Sequence, residues 1–361
     1  MGKSGEKNVE KKHLVGIDLF SGAGGMSLGA SEAGIEIKYA VEKDKYAAET
    51  YQRNHKRTVV INDDICNLHD LSLGEGCPVV VFGGPPCQGF SISNRRTNNR
   101  ENKQNWLYKE FLRIVRSIKP DWVVLENVTG LLELEKGYFF QSILSDFYDS
   151  GYECSHMTLL ATDFGVPQKR SRLFVIGSRK GKKINVEKPR EPQLVTVGEA
   201  ISDLPVLENG ARVDVLPYRR PAESKYAEIL RKERKACSGH LVSKNAGYVI
   251  ERYKYIQPGE NWEVIPPKLM QNYIDRTRCH TGIYYRLRKD MPSIVIGNYR
   301  KNMLIHPEQD RGLSVREAAR IQSFPDWYQF MGSIGFQQQQ VGNAVPPLLA
   351  KAVFERIVQE T

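Results

Sequence analysis

The stretch Val79-Val-Val-Phe-Gly-Gly-Pro-Pro-Cys-Gln-Gly-Phe-Ser91 decides how this chain is organised. Residues 79–82 are wholly apolar, as expected of a strand buried on both faces of a parallel sheet. Gly83-Gly84 breaks the strand, and Pro85-Pro86 then imposes a stiff extended path that sets Cys87 just past the strand end. Open α/β sheets carry their ligands at that edge, so a thiol held there is a candidate nucleophile. A cysteine in a turn can equally be a small buried hydrophobe. The rest of the chain has to choose between the two.

Upstream, Leu14-Val-Gly-Ile-Asp-Leu-Phe20 reads as a first buried strand, running into Ser21-Gly-Ala-Gly-Gly25 and a helix to about Ala33. A second strand covers residues 36–41 and ends on Glu42, with a helix over 44–54 and a short strand over 58–61 before Asp63-Asp64-Ile65. Downstream, the periodicity predicts a helix over 106–118 and a strand over 121–125 followed by Glu126-Asn-Val128. A helix near 138–148 and strands near 154–160 and 172–177 come next. Repeated strand–helix alternation is the signature of an α/β fold, here a doubly wound, mostly parallel Rossmann-like sheet. Past residue 178 the pattern weakens into Pro-, Tyr- and Lys/Arg-rich sequence. Helical pieces are expected there at 222–237 and 313–323, then an amphipathic helix at 348–358.

Composition narrows the function classes. The chain has 361 residues and a formal net charge of +10. Residues 181–335 hold 26 Lys and Arg against 18 Asp and Glu, so +8 of that excess lies in one contiguous segment. Such a segment suits a polyanion or is simply a solvated basic face. No apolar run reaches the ~20 residues that span a bilayer, and the polar start has no apolar signal region. The six cysteines form no Cys-x-x-Cys pair, which argues for a reducing compartment, the cytoplasm, and against a metal site.

The strand ends also suggest a cofactor. The Gly22–Gly25 turn departs from the dinucleotide fingerprint, since position 27 is Ser, but its backbone N–H groups still suit an anion such as a carboxylate. Glu42, ~20 residues on, stands where an acid bonds ribose hydroxyls. Asp64 is placed to accept from an adenine amino group. Ribose, adenine and a carboxylate without phosphate describe S-adenosylmethionine. Glu126 shares the edge with Cys87, as expected of acid catalysis on one substrate. Arg170 and Arg172 of Gln168-Lys-Arg-Ser-Arg172 offer fixed donors from an extended segment.

With these residues in place, the chain resembles the DNA (cytosine-5)-methyltransferases. The resemblance rests on six ordered motifs: Asp18-Leu-Phe-Ser-Gly-Ala-Gly-Gly25, Gly84-Pro-Pro-Cys-Gln-Gly-Phe-Ser91, Glu126-Asn-Val128, Gln168-Lys-Arg-Ser-Arg172, the segment 311–325, and Gln340-Val-Gly-Asn-Ala-Val-Pro-Pro347. It implies that Cys87 attacks C6 of a flipped-out cytosine, that Glu126 holds or protonates N3, and that Arg172 with Arg170 holds O2. For S-adenosylmethionine it implies Phe20 at the adenine, Ser21, Gly22, Ala23, Gly24 and Gly25 at the methionine end, and Glu42 at the ribose. Asp64 and Ile65 would meet the adenine, with Leu107, Asn343 and Ala344 in the pocket wall. Lys43 stands where some relatives carry a bulky apolar residue. Gln88, Ser91, Ser93 and Gln168 are the expected DNA contacts, with the loops 276–282 and 297–301 as further candidates.

The expected division is a tail over 1–13, a catalytic domain of 14–190 plus 336–361, and a target-recognition domain over 191–335. The expected partner is double-stranded DNA, without metal, with the chain a monomer and a cognate restriction endonuclease acting separately. Two alternatives stay open: a tRNA cytosine-5 methyltransferase built on the same core, and a non-catalytic DNA-binding regulator.

Overall fold

The computed structural model describes residues 13–69, 71–73, 76–86, 106–191, 193–273, 279–297 and 299–361. Cys87, Gln88, Ser91 and Ser93 lie outside the described residues, as do Arg276 and Arg278. The described residues form a seven-stranded sheet of order β3-β2-β1-β4-β5-β7-β6. Its strands are β1 (Val15–Leu19), β2 (Glu36–Val41), β3 (Val59–Ile61), β4 (Val79–Gly83), β5 (Trp122–Asn127), β6 (Glu153–Leu160) and β7 (Ser171–Ser178). β1 to β5 are parallel, and β7 runs antiparallel to both β5 and β6. The first strand of each half, β1 and β4, lies at the centre, so the chain winds outward in both directions from that pair. The fold is the mostly parallel α/β sheet expected from the strand–helix alternation.

Helices α1 (Gly25–Glu32), α2 (Lys45–Asn54), α3 (Tyr108–Ile118) and α4 (Tyr138–Asp149) connect these strands. α3 is strongly amphipathic and sinks Phe111, Leu112, Ile114 and Val115 into one core with β5 and α4, while Val80, Phe82, Val124 and Phe174 face a second core. Burying each such side chain contributes about 1.5–3 kcal/mol. That second core is completed from the far end of the sequence. α10 (Pro347–Glu360) packs across α1 and buries Leu349, Val353, Phe354 and Ile357 against the sheet.

The middle of the chain is irregular. It contains α5 (Val197–Ile201), β8 (Leu216–Pro217), α6 (Lys225–Arg231), β9 (Ala236–Cys237) and α7 (Gly247–Tyr253), then α8 (Val315–Ile321) and α9 (Ile334–Asn343). The expected helix over 222–237 is shorter than its composition suggested. Ser224 caps it, Lys232 in the left-handed region (φ 53°) ends it, and Ala236–Cys237 pairs instead with β8. The helix expected over 313–323 is trimmed likewise: Ser314 and Glu317 close a capping box in front of it, and Ser323 turns left-handed (φ 64°) after it. Among the described residues no helix is long and apolar enough to cross a membrane.

Candidate active site

Glu126 belongs to β5 itself rather than to the turn after it. It pairs with Phe174 of β7, two positions from Arg172, so Glu126 and Arg172 are diagonal neighbours on one sheet face. Arg172 Nε lies 2.8 Å from Glu126 Oε1, with both side chains almost fully enclosed. The reversal of β7 makes this possible. An antiparallel strand begins where its parallel neighbour ends, so residues 168–172 arrive at the same carboxyl edge that β4 and β5 reach.

Gly84 closes the site from the β4 side. A Cβ built on it would stand 2.7 Å from Glu126 Oε2, so any larger residue would push into the carboxylate. Asn127 holds the same turn, its Nδ2 donating to Pro85 O at 3.3 Å. The turn that leads into Cys87 is thus fixed over Glu126 by two of the carboxylate's immediate neighbours. Burial pushes the Glu126 carboxyl above its ordinary range, against the opposing pull of Arg172 and Arg170.

Arg170 is 1% exposed and approaches the site differently. Its Nη1 donates to Gly342 O at 3.0 Å and its Nη2 to Asn343 O at 3.4 Å, while its Nε is buried without a hydrogen-bond partner. Its charge acts on Glu126, but its bonds hold the end of α9. Gln168 departs from the expectation of a DNA contact. It is 0% exposed, its Oε1 accepts from Ile296 N at 3.0 Å, and its Nε2 donates to Gln322 Oε1 at 2.9 Å. With no exposed surface and a bond at each end inside the protein, this amide does not reach a groove. Tyr299 in the loop 297–301 is likewise buried, whereas Arg300 and Lys301 are exposed.

On the other side of β1, Phe20 takes a left-handed backbone (φ 58°), a strained turn for a bulky residue and one that bends the chain sharply off the strand end. Ser21 N then bonds Val41 O at 3.1 Å. Glu42 spans the Gly-rich turn, its Oε2 accepting from Gly22 N at 2.7 Å and its Oε1 from Asp44 N at 2.7 Å. Gly22 itself (φ 54°) has no atom within 4 Å of where a Cβ would stand, so the turn is open on that side. Asp64 caps the turn at Ile65–Asn67 through Cys66 N and pairs with the exposed Lys43 at 2.6 Å. Lys43 is the first cause that holds this carboxyl down, to about 2. Ile65 is buried, and Leu107 precedes α3 half-buried. Ala344 lies against Gly25, and Asn343 just before it is exposed. Open space beside Gly22, next to the Glu42 carboxylate, suits a nucleoside carrying an amino-acid tail.

Below the turn lies a buried network that sequence reading missed. Tyr328 Oη donates to Ala23 O and sits 3.1 Å from His55 Nε2; Ser27 Oγ donates to Asp18 Oδ2 at 2.6 Å. Asp18 was visible in the first motif, but Tyr328 and His55 belong to none of the motifs, and nothing in their local sequence marks them. Asn127 and Gly84 could have been found, since both stand inside quoted motifs. Among the described residues no group of three or more His, Cys, Asp or Glu is placed to hold a metal ion.

A doubly wound sheet with an acid–arginine pair and a glycine turn at one edge is compatible with an enzyme that uses a nucleoside cofactor, and similarity to known proteins makes the class specific. The family model for C-5 cytosine-specific DNA methylase matches residues 14–359. The chain is 35% identical to the type II methyltransferase M.DdeI of Desulfomicrobium norvegicum, over 94% of this chain and 88% of that protein. It is 36% identical to M1.HphI of Haemophilus parahaemolyticus, over 96% and 87% respectively. A structure from an E. coli prophage, described as a DNA modification methyltransferase, superposes with a TM-score of 0.77 at 27% identity and covers 96% of this chain and 99% of its own. The chain belongs to the C-5 cytosine-specific DNA methylase family and is a DNA cytosine-5-methyltransferase.

Proposed function

We propose that the protein transfers a methyl group from S-adenosylmethionine to C5 of a cytosine flipped out of duplex DNA at one short sequence, as the modification enzyme of a type II restriction–modification system. The observation that carries this reading is the buried Glu126–Arg172 pair beneath Gly84, three residues before Cys87. When bound, S-adenosylmethionine supplies the electrophilic methyl group.

The chain's own residues do the rest. The Cys87 thiolate adds to C6, which turns C5 into a nucleophile. Glu126 answers the charge that this addition drives onto the ring. Its Oε1 is held by Arg172, so Oε2, facing the turn, is the oxygen placed to carry a proton to N3. A carboxyl whose affinity for a proton is raised by burial suits that role. Once Glu126 has given up its proton, Arg172 and Arg170 leave one net positive charge around it, complementary to electron density drawn toward N3 and O2. Once C5 carries the methyl group, a base takes the C5 proton, the released electron pair re-forms the C5–C6 double bond and expels the Cys87 thiolate, and N3 returns its proton to Glu126. Glu42, with the Gly22–Gly25 turn, Phe20, Ser21, Asp64, Ile65, Leu107, Asn343 and Ala344, forms the cofactor side, and Lys43 closes it through Asp64. Extruding the base costs a few kcal/mol, which contacts to the flanking DNA must offset.

Residues 191–335 form the target-recognition part in this reading, and 14–190 with 336–361 the catalytic part. The +8 charge of residues 181–335 supports duplex DNA as the partner. The test is a duplex carrying 5-fluorocytosine, incubated with protein and S-adenosylmethionine. A covalent protein–DNA complex that is absent in Cys87→Ser is expected. Labelled methyl entering tRNA but not DNA, or no complex at all, would overturn the proposal.

A further inference from the structure

Four segments distant in sequence meet at two buried glutamines. Gln168 stands at the entrance to β7, two residues before Arg170. Its side chain accepts from Ile296 N and donates to Gln322 Oε1, and Gln322 Nε2 in turn donates to Val341 O at 2.8 Å and Ala344 O at 3.2 Å. The backbone repeats the connection. Lys169 N bonds Ser293 O at 2.8 Å and Ser293 N bonds Pro167 O at 2.9 Å, a two-way bridge between these strands of chain. Gly342 completes the junction: a Cβ there would fall 1.8 Å from Gly297 O, so segment 293–297 runs directly on the end of α9. Gln168 and Gln322 are both 0% exposed.

We infer that Gln168 and Gln322 are positioning residues for sequence discrimination: they set segment 293–297, and with it the exposed Arg300 and Lys301, in register with the base-holding arginines and the cofactor wall. The inference rests on the reading of 191–335 as the recognition part. The physical reason is satisfaction of buried polar groups. Ile296 N, Val341 O and Ala344 O have their bonds from these two amides, and a buried N–H or C=O left without a partner is costly. If the Gln168 amide is removed, segment 293–297 must shift or hydrate to regain the bond at Ile296 N; if the Gln322 amide is removed, the end of α9, against which Gly297 lies, must do so. A shift at residues 296–297 moves Arg300 and Lys301, three to five residues on, relative to Glu126. The wrong DNA sequence is then excluded less well, although the groups that carry out the chemistry are untouched.

Expression in a bacterial host, followed by bisulfite sequencing of its DNA, reads the ratio of methylation at the preferred sequence to methylation at sites differing by one base pair. Gln168→Met keeps the shape and removes both polar ends. It is expected to lower that ratio by about tenfold, the discrimination that one good base contact supplies. Gln322→Met carries the same expectation and serves if the first variant does not accumulate. Ile357→Ala, a core change on α10 remote from the junction, is expected to lower methylation at all sites evenly and leave the ratio alone. A ratio unchanged in both glutamine variants, with only total methylation reduced, would overturn the inference and leave the glutamines a merely structural role. A wild-type chain that methylates no DNA overturns the functional reading and this inference with it; wild-type methylation separates the two.

Discussion

Arg172 and Glu126 meet at 2.8 Å inside the protein because β7 runs backwards beside β5. In a fully parallel sheet the entrance of that strand would lie at the opposite edge, some five residues away, and the pair would not exist. The buried pair is therefore a consequence of topology as much as of sequence, and it gives the first prediction. Glu126→Ala leaves the Arg172 charge buried without its counter-ion and should destabilise the fold by about 3–5 kcal/mol. Glu126→Gln preserves the shape and removes the acid; methyl transfer should fall at least ~100-fold while cofactor affinity, measured by calorimetry, stays near wild type. Full activity in Glu126→Gln would remove the carboxyl from the chemistry.

Tyr328→Phe removes the donor to Ala23 O, leaving that buried carbonyl unpaired. A cost of about 1–3 kcal/mol is expected, concentrated in the glycine turn. The variant should therefore raise the dissociation constant for S-adenosylmethionine more than it alters the rate at saturating cofactor. Calorimetry alongside single-turnover methylation separates the two.

Three buried histidines set an acid limit. Burial holds His55, His240 and His306 down to about 4, from an ordinary 6.5. A histidine whose folded pKa is depressed contributes stability that is fully present above 6.5 and lost as pH falls toward 4, because the unfolded chain binds the proton first. Each contributes at most about 3 kcal/mol across that window. The buried carboxyls Asp18 and Glu126 act in the opposite sense, their pKa raised by burial, so the wild-type curve is a compromise. The difference between wild type and His55→Gln isolates one histidine: the melting-temperature gap between them should narrow as pH drops from 6.5 to 4. A gap independent of pH would show that His55 is not neutral in the fold.

DNA affinity should fall steeply with salt. If residues 181–335 face phosphates, neutralising six or more of them costs roughly a thousandfold in affinity between about 50 and 200 mM salt. Fluorescence anisotropy with a labelled duplex reads the slope directly. A flat response would take the basic segment off the backbone.

The sheet was legible because buried strands and amphipathic helices leave strong local patterns: residues 79–82 and the stripe of α3 both fell where periodicity put them. The acid and the two arginines were legible because they stand inside motifs. Gln168 was misread for the same reason. Its motif marks it as important, but only the approach of Ile296 and Gln322, 128 and 154 residues away, shows that its amide points inward. Tyr328 and His55 left no trace, because a hydroxyl and an imidazole meeting under a turn depend on packing between segments with no common pattern. The irregular middle was least legible, since its cores are built from short pieces such as α5 and α7 that periodicity cannot resolve.

The bond from Tyr328 to Ala23 joins residues 305 positions apart, and α10 lies farther downstream still. At ribosomal rates of about 5–20 residues per second, roughly 15 to 60 s pass between synthesis of the glycine turn and synthesis of the tyrosine that braces it. During that interval the nascent chain carries β1, the turn and even Glu126, yet α1 still lacks its cover and Ala23 its donor. The order of translation thus acts as a timer: the glycine turn gains its last brace only after most of the basic middle segment has been made.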